Sequence, residues 1–164
     1  QSELAQRIGY LSQTNQLLST SIRDNIALAN PDATDEQIIR AAERSCAHAF
    51  IIDLPDGYAT EVGEGAQRFS AGQTKRIAIA QALLNDPPVL LLDEPTAELD
   101  RDSELHFVQT LKELARDHTV IVVTHSPFLL SHCNGILVMN KGKLVAAGPA
   151  SDILPKLGMN VAKP

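Results

Sequence analysis

Two adjacent carboxylates follow a run of apolar residues in the second half of the chain. The run is Val89–Leu92, and Asp93 and Glu94 come directly after it. A continuous apolar run of this length is typical of a strand that is buried on both faces. A carboxylate at the end of such a strand is poorly solvated and needs a cation, and Mg²⁺ bridged to phosphate oxygens meets that need. We therefore predict that Asp93 binds Mg²⁺ and that Glu94 orients or deprotonates a water for attack on phosphorus.

A histidine stands in the equivalent place after a second apolar run. Thr119–Val123 is predicted to form another buried strand, and Thr124 and His125 follow it. If the two strands lie close in one parallel sheet, their carboxyl ends share an edge, and His125 and Glu94 lie on it together. A neutral imidazole there can hydrogen-bond a phosphate and hold the attacking water. The alternative is a histidine that caps a neighbouring turn, but the acidic pair favours the functional interpretation.

A third candidate is the segment Ser70, Ala71, Gly72 and Gln73, at the start of a predicted helix. The unpaired N–H groups and the dipole of a helix N-terminus favour an anion. The Ser70 hydroxyl could meet a phosphate there, or it could simply cap the helix. For this segment taken alone, the plain cap is the preferred interpretation.

Strands alternate with helices along the rest of the chain. Ser21 is predicted to cap one short helix, and Thr34 with Gln37 forms a capping box for the next. Asn140–Gly142 is predicted to be the turn of a hairpin. This alternation predicts an α/β domain with a mainly parallel sheet.

Composition removes several classes of protein. The chain has 164 residues, 44% of them hydrophobic, and a formal net charge of −6. A free-standing nucleic-acid-binding protein is usually basic, so no nucleic-acid partner is expected. The two cysteines, Cys46 and Cys133, are far apart and have no zinc-type spacing. The longest apolar runs have the length of strands, which disfavours a membrane span.

Taken together, the motifs resemble those of the nucleotide-binding domain of ATP-binding cassette (ABC) transporters, in the family's order over residues from about 7 to 148. The resembling segments are Tyr10–Gln13 (Q-loop), Thr60–Glu64 (exporter-specific loop), Phe69–Gln73 (signature motif, with Ala71 in place of its first glycine), Leu92–Thr96 (Walker B strand end), Ala97–Asp100 (D-loop) and Thr124–Ser126 (switch histidine). The loop at Thr60–Glu64 argues for an exporter against the soluble cassette proteins of DNA repair or translation.

The resemblance implies a P-loop NTPase-like ABC ATPase domain with a helical signature subdomain, about residues 14–85, and a catalytic remainder, about 86–148. It implies ATP and Mg²⁺ as cofactors. In the family Gln13 would reach the metal and the attacking water, and two domains would sandwich ATP. Ser70–Gln73 and Asp100 would then bind the nucleotide, while Glu94, His125 and Gln13 are the implied catalytic residues. The implied partners are a second nucleotide-binding domain and transmembrane domains, at the cytoplasmic face of the membrane.

Three further segments are most similar to exporters of type I protein secretion: Ile22–Ile26, Leu54–Tyr58 and Gly148–Leu154. The sequence contains no Gly-x-x-x-x-Gly-Lys-Ser/Thr, the P-loop (Walker A) pattern that cradles phosphates. We therefore expect a partial cassette, truncated before the Q-loop and without the Walker A part, that binds ATP weakly by itself. The expected function is the ATP-hydrolysing module of an exporter. The alternative is an inactive remnant or regulatory partner that supplies its signature motif to an intact cassette.

Overall fold

The structure, a computed structural model, describes residues 7–13, 16–63, 69–97 and 99–159. These fall into two compact units that divide between Val123 and Thr124. The helices and strands of the first unit are β1 (Ile8–Leu11), α1 (Ile22–Ala27), α2 (Asp35–Arg44), α3 (His48–Ile52), α4 (Ala71–Leu83), β2 (Val89–Asp93), α5 (Arg101–Leu114) and β3 (Thr119–Val123). Those of the second are α6 (Pro127–Leu130), β4 (Gly135–Asn140), β5 (Lys143–Pro149) and α7 (Ala150–Ile153). Glu64 and Glu98, which the exporter-specific loop and the D-loop include, lie outside the described residues.

The first unit contains a three-stranded parallel sheet with β2 in the middle, in the order β1-β2-β3. Leu11 pairs with Leu92, and Asp93 pairs with Val123. The three strands therefore end together, and the residues that follow them leave the same edge of the sheet. The predicted parallel α/β arrangement is confirmed.

Only one face of this sheet is buried among the described residues, so the prediction of strands buried on both faces was wrong. On the covered face, Leu90 and Leu92 are 0% and 1% exposed, whereas on the opposite face Ile121 and Val123 are 48% and 52% exposed. A continuous apolar run records the hydrophobicity of both faces, but it does not record whether an element covers each of them. Helix α4 lies on the covered face. It packs so close that a Cβ on Gly9 would stand 2.7 Å from the Ala82 carbonyl oxygen.

Four helices of the first unit begin at polar residues that cap them, and three of these caps, Ser21, Thr34 and Ser70, were considered from the sequence. Ser21 accepts a hydrogen bond from the Asp24 N–H, and Thr34 forms the predicted capping box with Gln37. Ser70 caps α4, and Asp100 caps α5. Each cap satisfies N–H groups that the helix itself leaves unpaired.

A buried histidine holds the beginnings of β2 and β3 together. His118 is 8% exposed and donates from Nδ1 to the Pro87 carbonyl oxygen at 2.7 Å. Its Nε2 therefore accepts from the Arg44 guanidinium at the end of α2. Arg44 also pairs with Asp86, which precedes Pro87. This cluster brings α2 and the turns that lead into both strands to one place.

The second unit is built on the predicted hairpin. Strands β4 and β5 are antiparallel, and their turn residues Lys141 and Gly142 have φ of 45° and 75°. Two successive left-handed residues are what a tight hairpin turn requires. The hairpin packs against α7 through Ile136 and Ile153. No helix in the described part of the chain is both long and apolar enough to cross a membrane.

Candidate functional site

The two carboxylates lie where β2 leaves the sheet. Asp93 is the last residue of the strand and is half-buried. Glu94 has φ of 44°, in the left-handed region, and its N–H donates to the Val123 carbonyl oxygen at 2.8 Å. Residues other than glycine seldom adopt this conformation, which tends to occur at active sites where surrounding contacts hold it. Cys46, Asp86 and Lys141 also have positive φ, but of these four residues only Glu94 directly follows a strand of the parallel sheet.

Gln13 follows β1 at the same edge of the sheet. Leu11 pairs with Leu92, so the chain leaves β1 and β2 at the same level, one as Ser12-Gln13 and the other as Asp93-Glu94. The Gln13 side chain is exposed. The topology thus brings the predicted amide and carboxylates to one edge, where ligands bind in parallel sheets.

Helix α4 begins with a reciprocal capping box made by two of the predicted phosphate-contacting residues. Ser70 Oγ accepts from the Gln73 N–H at 3.2 Å, and Gln73 Oε1 accepts from the Ser70 N–H at 3.0 Å. The simpler interpretation of Ser70, a helix cap, is therefore realised. Ser70 is also exposed, so its hydroxyl hydrogen is accessible to an anion at the helix start.

Replacement of Ser70 tests its contribution to stability as a helix cap. Ser70→Ala should lower the free energy of unfolding by about 1 kcal/mol, and Ser70→Asn should restore it, because asparagine also caps. The measurement is the urea midpoint of each variant. Thr34→Ala, which breaks the other capping box, is the matched control and should lose a similar amount. An unchanged midpoint for Ser70→Ala would contradict this account of the helix start.

The start of α4 packs beside the segment that leads into α5. A Cβ built on Gly72 would lie 3.7 Å from Ser103 and 3.8 Å from Leu99, which is ordinary van der Waals contact. The chain itself therefore does not require glycine at this position. Asp100 accepts from the Ser103 N–H and hydroxyl, both at 2.9 Å. These bonds, the backbone one first, hold the pKa of the Asp100 carboxyl below its usual range.

Sequence analysis missed a buried lysine in this region. Lys75 is 6% exposed, and its ammonium donates to the carbonyl oxygens of Glu94 and Ala97. Helical spacing could have identified it, because Lys75 shares a face of α4 with the buried Gly72 and Ile79. A charged residue in an apolar stripe is a signal for a buried partner.

Comparison with known families agrees with these motifs. Residues 1–97 match the family model described as ABC transporter. That match covers more than half of the chain. The chain belongs to the ABC transporter family.

Relatives of this ABC chain are considerably longer. A Staphylococcus aureus (strain NCTC 8325 / PS 47) protein named for multidrug export, an ATP-binding/permease protein, is 41% identical over 155 residues, which cover 94% of this chain and 27% of that protein. A protein of the same name from the bovine strain RF122 / ET3-1 is 40% identical over the same length. The structure of a bacterial Atm1-family ABC exporter with ATP bound matches with a TM-score of 0.82 and 34% identity, over 96% of this chain and 27% of that one. The ABC ATPase fold is thereby confirmed.

The donor set of this ABC chain fits magnesium bound together with a nucleotide. Within the described ranges, no group of three or more His, Cys, Asp or Glu side chains could hold a metal. Mg²⁺ in nucleotide sites takes one or two carboxylates and completes its shell with phosphate oxygens and waters. Asp93, with Gln13 at the same edge, is a donor set of that kind.

His125 belongs to the second unit of this ABC chain and follows the end of β3 by two positions. The next residue, Ser126, begins α6 as its N-cap and donates its own N–H to Thr124 Oγ1 at 3.0 Å. The role of His125 beside Glu94 stays a prediction from the sequence.

Proposed function

We propose that this chain supplies the catalytic carboxylate and the signature motif of an ABC exporter's nucleotide-binding domain, whose ATP hydrolysis powers export. The observation that carries the proposal is Glu94. It is held in a left-handed conformation at the end of β2, directly after Asp93, at the edge where Gln13 also leaves the sheet.

Each of these residues has a definite task in the proposed reaction. Bound Mg²⁺-ATP would supply the γ-phosphoryl group, which passes to the attacking water while ADP departs as the leaving group. The Glu94 carboxylate accepts the proton of the attacking water, and the side chains of His125 and Gln13 orient that water. Asp93 contributes a negative oxygen to the metal. The start of α4, with Ser70, Ala71, Gly72 and Gln73, presents N–H groups and a hydroxyl to the phosphates, and Asp100 stands beside it.

The proposed partners are a second nucleotide-binding domain and the transmembrane domains of an exporter, with the chain at the cytoplasmic face of the membrane. The chain spans 27% of the Staphylococcus aureus relative, whose printed name joins ATP-binding and permease functions. That name supports exporter partners and multidrug cargo. Protein or peptide secretion, predicted from three short segments, stays a prediction because no relative reported above is named for it. No observation favours the inactive or regulatory alternative.

A chimaera tests the proposal directly. The 155 aligned residues of the Staphylococcus aureus relative are replaced by those of this chain, and ATP-dependent phosphate release is measured in membranes. We expect turnover that Asp93→Asn abolishes. A folded, membrane-inserted chimaera that binds ATP and releases no phosphate would refute the proposal.

The chain alone should behave differently. Because its sequence contains no P-loop pattern, we expect isothermal titration with Mg-ATP to show binding weaker than micromolar. The chimaera is the positive control in the same titration. Micromolar or tighter affinity of the chain alone would contradict the expectation and would indicate a second mode of phosphate binding.

A further inference from the structure

A buried ammonium connects helix α4 to the turn after β2. Lys75 Nζ donates to the carbonyl oxygen of Ala97 and lies 3.5 Å from that of Glu94. Lys75 is only 6% exposed. Lysine is almost never buried unless its charge is compensated, and bonds from a charged donor are stronger than neutral ones where water is excluded. These contacts therefore contribute substantially to the placement of the turn.

The turn that Lys75 contacts carries Glu94, the proposed catalytic carboxylate. It begins at Glu94 and closes with a hydrogen bond from the Ala97 N–H to the Glu94 carbonyl oxygen at 3.1 Å. A second bond runs from the Leu99 N–H to the Thr96 carbonyl oxygen at 3.2 Å. Glu94 and Ala97 are the first and last residues of the 94–97 turn. Lys75 contacts the carbonyl oxygens of both, so it holds the turn at both ends.

These contacts of Lys75 matter because the backbone of Glu94 has a left-handed conformation. A residue with φ of 44° relaxes unless neighbouring contacts over-determine its backbone. The Val123 carbonyl fixes the N–H of Glu94, and the Ala97 N–H and Lys75 ammonium fix its carbonyl. Removal of one contact gives the backbone freedom to rotate, and the direction of the Glu94 side chain rotates with it.

We infer that Lys75 is a positioning residue for Glu94, clamping the 94–97 turn to the helix that begins at the signature motif. The clamp is a property of this chain, while its consequence for catalysis rests on the proposed function of Glu94. The contacts of Lys75 that carry this inference are with the main-chain oxygens of Glu94 and Ala97. Through it, the main chain that carries the Glu94 side chain is held against α4.

Amide hydrogen exchange of the 164-residue chain tests the clamp without nucleotide. Lys75→Met keeps the length of the side chain and removes the donors. We expect protection of the Ala97 and Leu99 amides to fall roughly tenfold, with that of Leu111 in α5 unchanged. Lys75→Arg, which keeps a charged donor, should restore protection. Lys112→Met, at an exposed lysine on α5, is the matched control and should leave the turn unaltered.

Two results would overturn the clamp. One is unchanged protection at Ala97 and Leu99 in Lys75→Met. The other is the same loss in Lys75→Arg as in Lys75→Met. If Lys75→Met loses protection throughout the chain, Lys75→Gln is measured at the same amides, because its shorter, uncharged amide keeps a donor but weakens the contact. Loss of protection confined to Ala97 and Leu99 supports the clamp, and unchanged protection there overturns it.

Turnover in the chimaera tests the consequence for catalysis. Lys75→Met should lower kcat roughly tenfold or more with KM for ATP nearly unchanged, because misplacing a reacting group slows the chemical step. Lys75→Arg should restore kcat. A merely structural role would reduce the amount of folded protein and leave kcat per folded site unaltered. If the unmodified chimaera shows no turnover, the proposed function fails while amide exchange still decides the clamp. If turnover depends on Glu94 but not on Lys75, the positioning role fails alone.

Discussion

Glu94→Gln in the chimaera should lower phosphate release about 100-fold or more, the usual contribution of a positioned general base. Glutamine has the same size and can still hydrogen-bond water, but it does not accept a proton at neutral pH. The main chain of Glu94 is held by the Val123 carbonyl on one side and by Ala97 and Lys75 on the other. The substitution therefore changes the chemistry of the side chain and leaves its place at the sheet edge intact.

Two further measurements make this result specific. ATP binding by the Glu94→Gln chimaera should be retained, because the lost function is proton acceptance. Glu113→Gln, at an exposed glutamate on α5 that pairs only locally with Arg116, is the matched control and should preserve turnover. Phosphate release that is undiminished in Glu94→Gln would exclude the carboxylate as the base and, with it, the mechanism proposed above.

The parallel sheet and the helix caps could be predicted from the sequence, because they depend on local patterns and on how parallel strands end. Glu94 and His125 were expected at one edge because parallel strands end together, and the register confirms that β2 and β3 end at the same level. Gln13 was expected there only from the family resemblance, and β1 ends level with β2. Caps such as Ser70 and Thr34 depend on residues only three positions apart, which the sequence contains in full. Interactions of this range need no knowledge of the fold.

The features that sequence analysis missed depend on contacts between distant segments. Lys75 meets oxygens at positions 94 and 97, and the exposure of Ile121 depends on what covers its face of the sheet. Hydrophobic periodicity assigns a residue to a face but does not identify what that face meets. Asn25 is the clearest case. It was noticed only as part of a similar segment, and the structure gives it a role of its own.

Asn25 shapes the loop before α1 from within that helix. It is 1% exposed, accepts from the Leu18 N–H at 2.7 Å, and donates to the carbonyl oxygens of Leu18 and Ser21, both at 3.0 Å. The loop that it shapes also pairs with the segment after Thr60, because the Ile22 N–H donates to the Thr60 carbonyl oxygen at 3.0 Å. One buried amide therefore fixes the loop to α1, and main-chain bonds join that loop region to the exporter-specific segment.

Asn25→Asp should lower the free energy of unfolding by about 3 kcal/mol, the largest stability effect that we predict. The new carboxylate keeps the acceptor for the Leu18 N–H but turns a second buried oxygen towards the carbonyls of Leu18 and Ser21. Urea unfolding at neutral pH measures the loss. As the pH falls, protonation of the introduced carboxyl restores a donor, so the deficit against the unmodified chain should shrink.

A matched substitution distinguishes burial from the chemistry of asparagine itself. Asn85 is exposed and donates one hydrogen bond to the Ala29 carbonyl oxygen at 3.1 Å. Asn85→Asp should cost less than about 0.5 kcal/mol, the usual limit for surface changes. A deficit for Asn25→Asp no larger than that of Asn85→Asp, or one that is independent of pH, would show that the loop holds its shape without this amide.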